Sequence, residues 1–134
     1  MTSAISEYDA AKLLGLSDDE YADQMHDRAV VAKGHDFEWA GLRVQVKANR
    51  PSGRRGSTVT LVAKPKNYDW DVLVWLLYDS AYQLQEAWRW DVADYRQQFE
   101  FKKRISPDDM RRGKQLGVES APRDVSAPAT PDVR

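Results

Sequence analysis

With 134 residues the chain suits one domain around one sizeable hydrophobic core. It has no cysteine, which excludes a disulfide scaffold, a thiolate zinc site and a cysteine nucleophile, so any bound metal must be held by oxygen or imidazole. The net charge of −1 hides a segregation: residues 1–41 carry nine acids and three bases, 42–67 carry seven bases and no acid, and 68–100 carry seven acids and two bases. A stripe of this kind makes a locally positive surface on a nearly neutral protein, and local potential is what attracts a polyanion.

The N-terminus MTSAISEYDAAKLLGL lacks a basic segment followed by an apolar run, and the longest apolar stretch, Val72 to Tyr78, is far below membrane-spanning length. A cytoplasmic protein without a membrane partner is expected. From Ser3 to Leu16 apolar residues recur at helical spacing, with Gly15 and Ser17 placed to end the helix. Glu7 falls on or beside its buried face. Residues 18–33 are rich in helix formers without clear periodicity, and Ala29 to Ala32 can equally open a strand.

At Asp36 the period changes to two. Phe37 and Trp39 alternate with Asp36 and Glu38, Ala40-Gly41 makes a turn, and Leu42, Val44, Val46 and Ala48 alternate with Arg43, Gln45, Lys47 and Asn49, which predicts a β-hairpin with one apolar face. NRPSGRRGS is a basic loop, TVTLVA (58–63) a third strand, VLVWLLY (72–78) a central strand covered on both faces, and Tyr82 to Trp90 an alternating neighbour. Asp91 caps a helix to about Gln98, and Ser106-Pro107-Asp108-Asp109 opens a last helix from Pro107 to about Leu116. The Pro- and Ala-rich residues 118–134 read as a disordered tail behind a single domain of residues 1–117. Helix, four or five strands, then helices make a mixed α/β architecture.

The polar residues of the hairpin share one parity: Asp36 and Glu38 on the first strand, Gln45 and Lys47 on the second. Lining a core with such groups is costly unless each has a partner, and a site is one way to supply partners. The segment GHDFEWAGLRVQVKANR resembles the motif of the PD-(D/E)xK nucleases, whose restriction-endonuclease-like core has a helix and then strands bearing an Asp and a (D/E/Q)xK triplet. His35 stands where that family has proline, and Gln45 replaces the acid of the triplet.

The resemblance implies a four- to five-stranded mixed sheet flanked by helices. It implies Mg²⁺ (or Mn²⁺) as cofactor, held by Asp36, Gln45, the Val46 carbonyl and Glu7 or Glu38, with Lys47 as the catalytic lysine and DNA as substrate. Arg43, Arg50, Arg54 and Arg55 would contact phosphates, and Trp39 and Trp70, near turns, are the aromatic contacts expected from the pattern. A double-strand cut would need a homodimer or two events. Two readings from other classes stand beside this one: a degenerate nuclease-like fold that only binds nucleic acid, and an interaction subunit for a partner protein.

Overall fold

The computed structural model describes residues 4–26, 35–56 and 58–118. Helices α1 (Ala4–Leu13) and α2 (Asp18–His26) are followed by strands β1 (Phe37–Trp39), β2 (Leu42–Asn49), β3 (Val72–Tyr78) and β4 (Leu84–Asp91). Helix α3 (Val92–Phe99), the single turn α4 (Pro107–Met110) and strand β5 (Lys114–Leu116) complete the chain. The strands form one open sheet in sequence order, β1-β2-β3-β4-β5, with β2 and β3 parallel and the other neighbours antiparallel. The protein is therefore α/β, with a five-stranded mixed sheet.

Local chemistry explains where the first helices stop and start. Gly15, at φ +97°, ends α1 while Gly15 N–H bonds Lys12 O and Leu16 N–H bonds Ala11 O, the paired bonds of a Schellman cap. Ser17 then opens α2 with a capping box: its Oγ accepts the Glu20 N–H, and Glu20 Oε1 accepts the Ser17 N–H. Turn residues Ala40 and Gly41 both have positive φ, 52° and 80°, the mirror-image turn whose twist matches a two-stranded ribbon.

Alternation along the strands splits the core into two layers. Val44, Val46, Ala48, Val72, Val74 and Leu76 face α1 through Ala10, Ala11 and Leu14. Leu73 and Trp75 face the other way, into Trp70, Trp90, Tyr95, Phe99, Ile105 and Met110 under α3 and α4. This second layer is aromatic: Trp70 meets Tyr95 edge-on at 5.6 Å, and Trp90 meets Phe99 at 4.9 Å. Trp70 is fully buried, so the expectation of a surface contact at that position is corrected. Its indole N–H donates to the Asn67 carbonyl, which lets an indole that follows a turn residue enter the core.

Two further expectations change. Residues 58–63 do not form a ladder strand; Val62 makes only an isolated antiparallel bridge to Ile105, because the open edge of β2 is taken by the more apolar β3. The last helix is one turn rather than three, and Lys114–Leu116 becomes the fifth strand against β4. Gly113 sits at this reversal with a Cβ position only 2.5 Å from Trp90 Nε1 and 2.7 Å from the Arg89 carbonyl. Gly113→Ala is expected to cost about 1–3 kcal/mol by overpacking, read as a drop in denaturation midpoint, whereas Gly117→Ala, with nothing within 4 Å of the added methyl, should cost far less. Val118 packs on the first layer, and the rest of the expected tail, like Ala29 to Ala32, lies outside the described residues.

Helix α4 owes its existence to Asp109. Its side chain accepts the Ser106 N–H while Ser106 Oγ accepts the Asp109 N–H, and Lys102 Nζ lies 3.0 Å from both carboxylate oxygens. Burial opposes the charged form, but the Ser106 N–H and the Lys102 ammonium outweigh it and hold the Asp109 carboxyl below its usual range. A lowered folded-state pKa adds stability above the unfolded value of about 3.9, lost as pH falls toward the folded value. Asp109→Ala should therefore cost about 1–2 kcal/mol at pH 7. In denaturant titrations the gap from wild type should narrow at pH 3.

Candidate active site

Asp36 stands immediately before β1, and its backbone N–H bonds the Val44 carbonyl of β2. Its side chain then continues where β1 has not begun: Oδ2 accepts the Val46 N–H at 2.6 Å. The carboxylate is thereby pinned against the middle residue of the Gln45-Val46-Lys47 triplet. Burial pushes the Asp36 carboxyl upward, opposed chiefly by the Val46 N–H and then by the Lys47 ammonium.

The register places the other two polar residues. Gln45 lies opposite Leu73 and Lys47 opposite Trp75, so both project from the sheet face that carries the aromatic layer, while Val44 and Val46 belong to the α1 side. Each is half-buried, with β3 on one side and, on the other, the β2 edge beyond the end of β1, where Asp36 stands. Lys47 takes part in no ion pair among the described residues. Asp36, Gln45, Val46 and Lys47 are thus gathered at one place by two strands and a tight turn.

The remaining expected residues are distributed differently. Glu7 is half-buried on α1, the helix on the face opposite Gln45 and Lys47; the buried acid of that helix is Asp9, whose Oδ2 accepts the Tyr78 hydroxyl at 2.6 Å. Glu38 is exposed on β1. Its backbone is engaged from outside by the Gln24 amide of α2, which donates to the Glu38 carbonyl and accepts its N–H, closing the sheet edge.

Of the four arginines, Arg43 is bound to Asp71 through its backbone N–H, Nε and Nη2, and Arg50 donates to the Ser80 carbonyl with its guanidinium 4.4 Å above the Tyr82 ring. Arg54 and Arg55 are exposed on the loop after β2. Trp39, half-buried, carries the Arg89 guanidinium 5.0 Å over its ring.

His35, which the sequence offers no reason to select beyond its place beside Asp36, is buried at the site. Neither ring nitrogen has a hydrogen-bond partner among the described residues, and Nε2 lies 3.5 Å from Glu38 Oε2, too long for a good hydrogen bond.

Neither a family model nor a curated protein sequence matches this chain. The reading of the site rests on its own chemistry. Among the described residues no three His, Cys, Asp or Glu side chains come together as a metal-binding group. What the structure brings together is the Asp36 carboxylate and the Val46 N–H, with the Gln45 amide next to Val46 in the triplet. The carboxylate and amide oxygens are hard ligands, and they fit a divalent cation of the Mg²⁺ class, which takes few protein ligands and keeps much of its own hydration.

Proposed function

We propose that this protein is a Mg²⁺- or Mn²⁺-dependent nuclease of the PD-(D/E)xK type, with a restriction-endonuclease-like core, that hydrolyses phosphodiester bonds of DNA. The observation that carries the reading is the 2.6 Å bond from the Val46 N–H to Asp36 Oδ2, which sets the aspartate of one strand against the QxK triplet of the next. The order of elements supports it: a helix, a hairpin bearing first the Asp and then the triplet, and a further strand beside the triplet.

In this reading Asp36 is the principal metal ligand and the Gln45 amide oxygen and Val46 carbonyl complete the protein's share of the shell, with Glu7 or Glu38 as the residue that would add a second negative charge. The bound cation would polarise the phosphoryl group and activate water. Lys47 places a compact positive charge beside Asp36, on the face where the phosphate would lie, and stabilises charge that develops there in the transition state. Arg54 and Arg55, exposed just beyond the end of β2, supply attraction for the flanking backbone without reading sequence.

Purified protein is expected to cut labelled DNA when Mg²⁺ or Mn²⁺ is present and to be inert in chelator, with Lys47→Ala inactive but folded. Cleavage that survives Lys47→Ala would remove the assignment. That Asp36 is the one carboxylate bonded to the triplet favours one rival: a binding module on the same framework, in which the Asp36 corner is structural. Salt-sensitive DNA binding that is indifferent to metal, with no cleavage of any substrate, would select it.

A further inference from the structure

Helix α3 ends in an exposed turn, Glu100 to Arg104, and Phe101 in that turn is 93% exposed. Leu61, 48% exposed, belongs to the same region: Val62 bridges Ile105, and Lys64 Nζ bonds the carbonyls of Glu100 and Lys102. Leu61, Lys102 and Arg104 line a shallow groove between the two segments. Phe101 thus presents almost its whole ring to water on a turn whose neighbours Lys102 and Arg104 line that groove.

The charges around it indicate which kind of ligand it suits. Each acid of the surrounding segment is already bound to a base: Glu100 to Arg96, Asp108 to Arg111, and Asp109 to Lys102. Lys103 and Arg104 are exposed and take part in no ion pair among the described residues. The turn is therefore an aromatic ring flanked by uncompensated positive charge. It is also joined to the candidate active site: Asn49, two residues after Lys47 on the same side of β2, donates its side-chain amide to the Leu61 carbonyl at 3.1 Å. Along a strand, two residues are about 7 Å.

We propose that Phe101, with Lys103 and Arg104, is a stacking platform for an unpaired base of a single-stranded nucleic acid whose backbone runs on toward Lys47. Base stacking on an exposed ring is tolerant of sequence, and neighbouring cations track the phosphates. The proposal rests on the nuclease reading for the direction of the strand, but binding at the turn is measurable without cleavage.

The test uses the full chain in chelator, with fluorescence anisotropy of a labelled oligothymidylate and of a blunt duplex hairpin. Phe101→Ala should weaken oligothymidylate binding about 5- to 150-fold, the loss of one stacked base, and affect the blunt duplex less, while Phe101→Trp retains affinity. Lys103→Ala with Arg104→Ala should reduce the slope of log affinity against log salt by about 1.4.

Unchanged oligothymidylate binding by Phe101→Ala overturns the platform. So does binding that is lost for oligothymidylate altogether but found for vesicles of anionic lipid. Phe101-dependent binding by a protein that cleaves no DNA in Mg²⁺ or Mn²⁺ leaves the platform standing and removes the nuclease reading. Cleavage with no dependence of binding on Phe101 does the reverse.

Discussion

Asp36→Asn is expected to abolish metal-dependent cleavage while making the protein more stable. The Asp36 carboxyl is half-buried and burial pushes its pKa up, so at neutral pH the folded state carries a charge it would rather not hold. The sign follows from linkage: a raised folded-state pKa gives stability at low pH that is lost as pH rises through that value. Asparagine keeps an oxygen to accept the Val46 N–H and removes the charge, for a gain of about 0.5–2 kcal/mol of the kind common where a functional group is traded for stability. Parallel denaturation at pH 7 and DNA-cleavage assays check both halves. An inactive variant that is less stable than wild type would mean that the Asp36 charge is structural, held by the Val46 N–H and the nearby Lys47 ammonium.

Trp70→Ala is expected to cost about 3–5 kcal/mol, enough to remove a large part of the stability of a domain this size. Trp70 is fully buried, edge-on to Tyr95 and 5.9 Å from Tyr68, and its indole N–H is satisfied by Asn67 O. Truncation therefore opens a cavity between the sheet and α3 and leaves a carbonyl without its donor. Urea unfolding followed by circular dichroism reads the loss. A contact residue for DNA at this position would instead leave stability unchanged and weaken binding, and that outcome would contradict the packing described above.

Much of this framework is legible in the residues. The period-two pattern from Asp36 to Asn49, broken by Ala40-Gly41, is the observed hairpin, and VLVWLLY is the observed central strand, apolar throughout because both layers cover it. The end of α1 and the start of α4 follow from Gly15 and Ser106, whose signals are local; α3 starts after Asp91 as expected, but the Asp91 side chain makes no capping bond and lies 3.6 Å from Arg89 Nη2 instead. Where the structure departs from the local pattern, distant segments compete. TVTLVA has strand composition but loses the edge of β2 to a more apolar rival, and KQL has almost no strand signal but is placed beside β4 by the reversal at Gly113.

The same division runs through the candidate site. Sequence by itself determined that Asp36, Gln45 and Lys47 share one parity of a hairpin, that an acid-free basic stretch begins beside them, and that no thiolate chemistry is available. Only the tertiary structure decided that Asp36 reaches past the end of β1 to the Val46 N–H, that Glu7 lies on a helix over the opposite face, and that Arg43 belongs to Asp71. It also decided that His35 is buried, with neither ring nitrogen hydrogen-bonded among the described residues, and that Phe101 is left in water. Parity and capping are set by neighbours within a few residues, whereas burial, charge pairing and the edge of a sheet depend on which segments from elsewhere in the chain arrive there first and fit best.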